Sequence, residues 1–533
     1  MERTEDPSPA DVRLVITASS LGTVFEWYDF FIYGTLAASG IIGRTFFPAE
    51  NAIVQTLLAW AGFAVGFGFR PLGAVLFGYL GDRLGRKYTF LVTIALMGVA
   101  TAGVGLVPSA ATIGFAAPAL VLLLRIAQGL ALGGEYGGAA IYVAEHSPPG
   151  KSGFYTSFIQ AGVVGGFILS LAVVLVTKGL LPDAVWQEWG WRLPFLFSIV
   201  LLAISLWMRL KLSESPVFAA MRAAGERVKN PIKESFTYPG NFKRMLVALF
   251  GIAAGLTVIW YTAMFTVLSF LQGPMRVEET TAQLIVGAGA LMSLVFFIVF
   301  GRLSDRIGRK RPIVWGYAAT LVLLFPIFWG LGGAANPGLA QAAARAPVIV
   351  SGPNCAYSPF ARAQADACGQ LLDHLSKRGV AYETRRTPGT VLSIGGLPVP
   401  DHTPAGVDAA LATADYDLSP VIPSAANIAK IVALILMLGA LSGITYGPVA
   451  ALLSEMFPPA IRYSSLSIPY HLGTGYFGGF LPFISQYIVA RTGDPYAGLW
   501  YTWVVVAMAL VVTALFLREE RGGSDLQAKR GSA

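Results

Sequence analysis

Apolar runs about as long as a bilayer crossing recur along this chain, and nothing else narrows its fold so far. They lie at about 14–41, 53–80, 88–107, 112–143, 153–178, 192–210, 244–271, 282–303, 312–333, 427–454, 462–489 and 498–517, twelve in all. A helix needs about 20 apolar residues to cross the hydrocarbon core. Helices suit that task because each satisfies its own backbone polar groups. Charged residues make up only 13% of the 533, against about 25% in a soluble domain. The expected fold is therefore an all-α membrane protein of twelve transmembrane helices. The net charge of +8 does not point to nucleic acid, because much of the basic excess sits in short loops between apolar runs, as the positive-inside rule describes. The first run, Leu14 to Ile42, is too long for the core of a signal peptide and contains carboxylates, so it reads as a retained span.

An internal repeat divides the chain. Gly78, Asp82, Arg83, Gly85, Arg86 and Lys87 follow the second run with the spacing G-x-x-x-D-R-x-G-R-K. Gly301, Asp305, Arg306, Gly308, Arg309 and Lys310 repeat it after the eighth, 223 residues later. Loop charge alone does not reproduce glycine and aspartate positions. Two homologous six-helix halves are expected, an arrangement common in secondary transporters. An aspartate near a helix N-terminus with arginines close by makes a breakable latch between helices. The expected divisions are a first bundle at 1–210, a cytoplasmic linker at 211–243, the second bundle at 244–333 and 427–517, and a cytoplasmic tail at 518–533. The basic repeats place their loops, and hence both termini, in the cytoplasm.

The stretch 334–426 then falls outside the cytoplasm, between the ninth and tenth spans. It is too long for a plain connection. Ala346 to Val350 and Thr390 to Ile394 read as strands and Ala363 to Arg378 as a helix, so a small extracytoplasmic α/β insertion is expected. Its charges nearly cancel, six Lys and Arg against seven Asp and Glu. Both cysteines of the chain, Cys355 and Cys368, lie here. In an oxidising compartment they are expected to pair. Two free thiols are the alternative; a metal site completed by His374 and His402 has little support from spacing, and no metal is assigned.

Charges inside the spans carry the chemistry. Glu26 and Asp29 are three residues apart on the first span, about 18–22 Å along it at 1.5 Å per residue. Arg125 on the fourth, antiparallel span lies about 19 Å along, at similar depth. A lone arginine at the bilayer centre costs roughly 2.5–3.5 kcal/mol on insertion scales, so a paired cluster of Arg125 with Glu26 and Asp29 is expected. A carboxylate that meets an arginine in one conformation and loses it in another changes its proton affinity; a static ion pair fixing two helices is the plainer alternative. Gln128, Leu132, Glu135 and Tyr136 share the Arg125 face. Glu135 lies about 15 Å nearer the cytoplasm, a second proton site or gate. Gly133, Gly134, Gly137 and Gly138 are spaced for close helix contact. No phosphate-binding loop or nucleophile elbow is present, so an enzyme is not expected.

The second half has almost no charge within its spans. Its candidate ligand contacts are Trp260 and Tyr261, Tyr446, and His471, joined from the first half by Tyr28, Arg125, Gln128, Tyr136 and Gln160. Packing is the alternative role for each aromatic residue.

The doubled ten-residue pattern resembles the signature loop of the major facilitator superfamily. FEWYDF at 25–30, GFRPLG at 68–73, LRIAQGLALGGEYGGA at 124–139, LSESPVF at 212–218 and SEMFPPAIRYSSLSIPYHLG at 454–473 more narrowly resemble the metabolite:proton symporters, which include permeases for citrate, α-ketoglutarate, shikimate and proline/betaine. The resemblance covers nearly all of the chain outside 334–426, and that insertion departs from it. It implies alternating access, with a small organic solute carried inward by proton symport, the charged core falling on Glu26, Asp29, Arg125 and Glu135. Arg125 favours a carboxylate-bearing solute. Compatible-solute symport, proton antiport and solute sensing without transport are the alternatives. The expected cofactor is none beyond the coupling proton. The expected setting is the inner membrane, as a monomer, with room for a periplasmic partner at the insertion and no nucleic acid.

Overall fold

In a computed structural model of the chain, the residues described are 9–49, 51–84, 86–134, 136–210, 231–353, 355–361, 363–458 and 461–518. Within helices, the side chains at 78–79, 81–88 and 136, among others, fall outside that description. Glu135, Tyr136 and the first repeat (Gly78, Asp82, Arg83, Gly85, Arg86) are thus beyond what is described of side chains, as are 211–230 of the linker and 519–533 of the tail.

The protein is a multi-pass membrane protein. Among the described residues nine helices are long and apolar enough to cross a bilayer: Ala52–Phe77, Ala116–His146, Ser152–Leu180, Gly190–Met208, Asn241–Gln272, Glu279–Ile307, Lys310–Ala335, Ala425–Met456 and Leu499–Phe516. Further helical stretches run over Pro9–Ala38, Arg86–Leu106, Arg462–Leu472 and Leu481–Thr492. Large apolar side chains such as Val99, Leu123, Val322 and Leu515 are exposed on the outer surface, a band that needs lipid rather than water around it.

Helix pairs interlock through missing side chains. A Cβ at Gly129 would sit 1.9 Å from the carbonyl oxygen of Gly66, so the backbones of Ala52–Gly68 and Ala116–Gly133 touch. The seam between N-terminal and C-terminal segments is formed by Ser152–Leu180 against Glu279–Ile307, by Arg70–Leu84 against Arg462–Leu472 and by Ala52–Gly68 against Gly473–Gly479. Three π-helical turns interrupt the C-terminal segment, at Val247–Ala253, Thr262–Thr266 and Gly473–Gly479; such turns re-aim the side chains beside them.

Between Ala335 and Ala425 the chain builds a unit with its own core of Val348, Val350, Leu371, Leu375, Leu392 and Leu411. Its sheet comprises β1 (Val348–Gly352), β2 (Glu383–Arg386), β3 (Val391–Ile394) and β4 (Leu397–Val399) in the order β2-β1-β3-β4. β1 pairs parallel with β2 and antiparallel with β3, with Val350 opposite both Thr384 and Leu392. Helices Ala367–Lys377 and Pro404–Thr413 start at Asp366 and Thr403, whose side chains accept the N–H of Gly369 and Gly406. Sequence patterning misses β2 and β4 for physical reasons: β2 is an edge strand whose four residues are all exposed, and β4 carries Pro398, tolerated at an edge. Cys355 and Cys368 are joined by a disulfide.

The unit is bonded to both segments. Asn51, which caps the helix from Ala52 by accepting the Ile53 N–H, donates through its amide to Tyr357 at 3.0 Å and Asp373 at 3.1 Å. Val277 and Val421 form an isolated parallel bridge, with Val421 N donating to Arg276 O at 2.8 Å.

Candidate functional site

Arg125 is fully buried in a nest made by the N-terminal segment. Its guanidinium donates to Gln128 Oε1 at 2.6 Å and, at 3.4 Å, to the carbonyls of Phe30 and Phe63. The ring faces of Phe30 and Tyr33 lie 4.1 and 4.5 Å from it, a cation–π cage. A Cβ at Gly66 would press within 2.9 Å of it, so this glycine makes the room. Gln128 passes the network on, donating to Thr101 Oγ1 at 2.6 Å and to the Asp29 carbonyl at 3.4 Å.

The direct pair expected from counting depth is not formed in this conformation: among the described residues no ion pair joins Arg125 to Glu26 or Asp29. Depth is matched, but direction is not. The Asp29 backbone faces the nest, while its carboxyl lies beside Ser198 on the helix Leu193–Leu210. Asp29 Oδ1 is buried and makes no hydrogen bond of normal geometry among the described residues. Glu26 is buried too. Tyr28, expected at the site, instead donates to the Pro194 carbonyl at 2.5 Å and packs edge-on against Phe197.

A second buried arginine, Arg70, escaped the sequence reading. It is fully buried, between Trp27 and Phe67 with each ring centroid 5.1 Å away. It opens the helix Arg70–Leu84, which packs against Arg462–Leu472 of the C-terminal segment, the helix that carries Tyr470 and His471. The available signal was GFRPLG, an arginine inside an apolar run. Opposite it, Tyr446 and Tyr470 share a hydrogen bond of 3.0 Å, and His471 stands edge-on to Tyr470. Trp260 stacks on Phe31 at 5.0 Å, and Tyr261 meets Phe67 at 5.5 Å. Gln160 is fully buried on Ser152–Leu180. The structure thus gathers Arg70, Trp260, Tyr261, Tyr446 and His471 about the seam, and keeps Arg125 and Gln128 behind the Phe30, Phe63 and Phe67 rings. Among the described residues no group of three or more His, Cys, Asp or Glu is placed to hold a metal.

The seam is closed at the basic-loop end. Asp305 accepts the backbone N–H of Gly153 and Phe154, each at 2.8 Å, at the N-terminus of Ser152–Leu180, where a negative charge is favoured. Arg309 binds Asp305 at 2.7 Å, Ser152 at 2.8 Å and Glu455 at 2.9 Å. Gly301 permits this approach, since a Cβ there would meet Ser157 at 2.5 Å. Gly308 has φ 92, a backbone state that favours glycine, and Arg306 is exposed. Arg462 adds an ion pair to Glu145 at 3.2 Å. The sequence missed Glu145 and Glu455, since nothing in their spacing reveals a partner across the seam.

Comparison with known proteins agrees with this architecture. The sequence profile of the Major Facilitator Superfamily matches residues 19–361. The proline/betaine transporter of Salmonella typhimurium is 38% identical over 323 residues, 60% of this chain and 64% of that protein; the chain thus aligns with just under two thirds of that relative's length. The inner membrane metabolite transport protein YhjE of Escherichia coli is 31% identical over 98% of this chain and 97% of its own. Among solved structures, the xylose transporter XylE from E. coli in a partially occluded inward open conformation superposes with a TM-score of 0.60 at 16% identity, covering 96% of this chain and 99% of that one. At that identity the likeness is one of fold.

Proposed function

Because the chain belongs to the major facilitator superfamily, we propose that it is a secondary active transporter that couples proton movement to uptake of a small, carboxylate-bearing organic solute. The observation that carries this reading is Arg70, fully buried against Trp27 and Phe67 at the head of a helix that packs on Arg462–Leu472 of the C-terminal segment. A guanidinium there meets a carboxylate in two parallel hydrogen bonds, and the aromatic rings around it enclose the rest of a small solute. Asp29 carries the coupling proton. Burying an unpaired carboxylate is costly, and a proton removes that charge. Arg125 holds the first, second and fourth spans in register rather than touching the solute.

In this reading twelve helices cross an inner membrane in two six-helix halves, 1–210 and 244–517. Both termini and the 211–243 linker are cytoplasmic, and the α/β insertion within 334–426 lies outside. The protein acts as a monomer with the proton as sole coupling ion. The Asp305–Arg309–Glu455 cluster then closes the cytoplasmic end, and its release opens the path inward. Similarity to a proline/betaine transporter favours a compatible solute as a second reading within the same mechanism, since proline and betaine carry carboxylates. The test is uptake by purified protein in proteoliposomes. An imposed inward proton gradient should drive accumulation of an organic acid or betaine. Asp29→Asn should keep solute counterflow yet lose gradient-driven accumulation. No accumulation of any panel member, or full coupling in that variant, would overturn the proposal.

A further inference from the structure

A chamber of about 1150 Å3 lies between the α/β unit and the neighbouring helix ends. Nothing in the mechanism above uses it. Three polar atoms of its lining are buried without a hydrogen-bond partner among the described residues: Trp60 Nε1, Gln272 Oε1 and Arg276 Nε. Trp60 is fully buried, and an unmet N–H of this kind is costly to keep. Its ring packs edge-on against Phe63 and Phe265 at 5.5 and 5.8 Å, so it stands between the chamber and the central aromatic cluster. Arg276 is firmly placed. Its Nη1 donates to Leu418 O at 2.6 Å and its Nη2 to the Arg378 carbonyl, while its backbone holds φ 54, rare for a residue with a side chain.

The lining also carries an excess of negative charge: Glu278, Glu279, Glu383 and Asp494 against Arg276 and Lys377. Lys377 is already paired with Asp373 at 2.6 Å, and Glu279 with Lys178 at 3.1 Å. Tyr382 and Tyr496 add aromatic surface. Acidic and aromatic walls attract an ammonium head, while the N–H groups of Trp60 and Arg276 suit a carboxylate. A simple dianion finds too few cations here.

We propose that this chamber is an outer holding site for a zwitterion bearing an ammonium or quaternary-ammonium head and a carboxylate. It takes its purpose from the transporter reading, but its occupancy is measured independently of transport. In full-length protein in nanodiscs, Thr56→Cys places a single free thiol on the chamber wall, since the native cysteines are bonded to each other. A membrane-impermeant maleimide should label it. Glycine betaine at about four times its Kd should slow labelling about fivefold by occupancy, and succinate should not. In the same background, Arg276→Gln and the near-isosteric Trp60→Phe should each abolish protection. Should Arg276→Gln fail to fold, Trp60→Phe decides. Absence of labelling, absence of protection, equal protection by succinate, or protection that persists in Trp60→Phe overturns the proposal. Because labelling needs no gradient, its failure is distinct from a failure of proton-driven uptake.

Discussion

Among the described residues two arginines, Arg70 and Arg125, are fully buried in the helical core, and their surroundings differ in kind. Arg125 is held by Phe30, Tyr33, Phe63 and Gln128, all from the N-terminal segment. Arg70 also lies on N-terminal rings, those of Trp27 and Phe67, but its helix packs against Arg462–Leu472 of the other segment, whereas the helix of Arg125 packs against Ala52–Gly68, Arg70–Leu84 and Arg86–Leu106. A charge enclosed by one rigid body travels with it and keeps its contacts. A charge on the seam changes neighbours whenever the bodies move. The same residue type therefore has fixed neighbours in one place and, in the reading proposed above, changing ones in the other, and depth in the membrane does not tell them apart.

The largest effect should come from breaking the nest. Gly129→Ala would drive a Cβ into the Gly66 carbonyl and should destabilise the fold by about 3 kcal/mol or more, seen as a lower melting temperature and aggregation on size exclusion. A wild-type melting curve would show the nest to be loose. Next comes the arginine pair itself. Arg70→Gln should raise KM for a carboxylate solute roughly 10–100-fold, the loss of a charged hydrogen-bonded contact, with melting nearly unchanged. Arg125→Gln should lower the melting temperature by several degrees and reduce the maximal rate more than the KM. The reverse pattern would invert the assignment.

The smallest effect marks the reach of the contrast, in the α/β unit remote from both arginines. There Arg378 holds the Asp408 carboxyl below the ordinary carboxylate range, with His374 assisting. A depressed folded-state value means stabilisation that is complete above about pH 4, the unfolded value. It drains away as pH falls through the lower folded value. Asp408→Asn should therefore raise hydrogen exchange in the unit slightly at neutral pH and leave it unaltered in acid below both values. Equal exchange change at both pH values would mean the pair acts by shape alone.

What the sequence conveyed follows from periodicity and charge sign. Apolar runs disclose helices because the bilayer demands a minimum length, and the repeated aspartate and arginine disclosed the Asp305–Arg309 pair. Depth counting put Asp29 beside Arg125, and the Asp29 backbone does lie against the nest, its carbonyl 3.4 Å from the Gln128 amide. It could not show that the Asp29 side chain leaves the nest toward Ser198, because rotation about a helix axis is set by packing with its neighbours. Arg70 sits inside the run at 53–80 with no carboxylate three or four residues away to mark it as a buried charge. β2 had no alternation to find, being exposed throughout. Trp60 and Gln272 became notable only once the unit stood above them.

Asn51 joins parts that the chain itself keeps separate. The α/β unit is covalently part of the C-terminal segment, yet Asn51, at the head of an N-terminal helix, grips it through Tyr357 and Asp373. Any rocking that parts the two segments at this end must break these bonds or drag the unit across the gap. With about 1 kcal/mol for each such hydrogen bond, the grip holds the opened state down roughly tenfold or more in population. The firmness with which this end stays shut is therefore set in part by an asparagine that the chain places far from its partners in sequence.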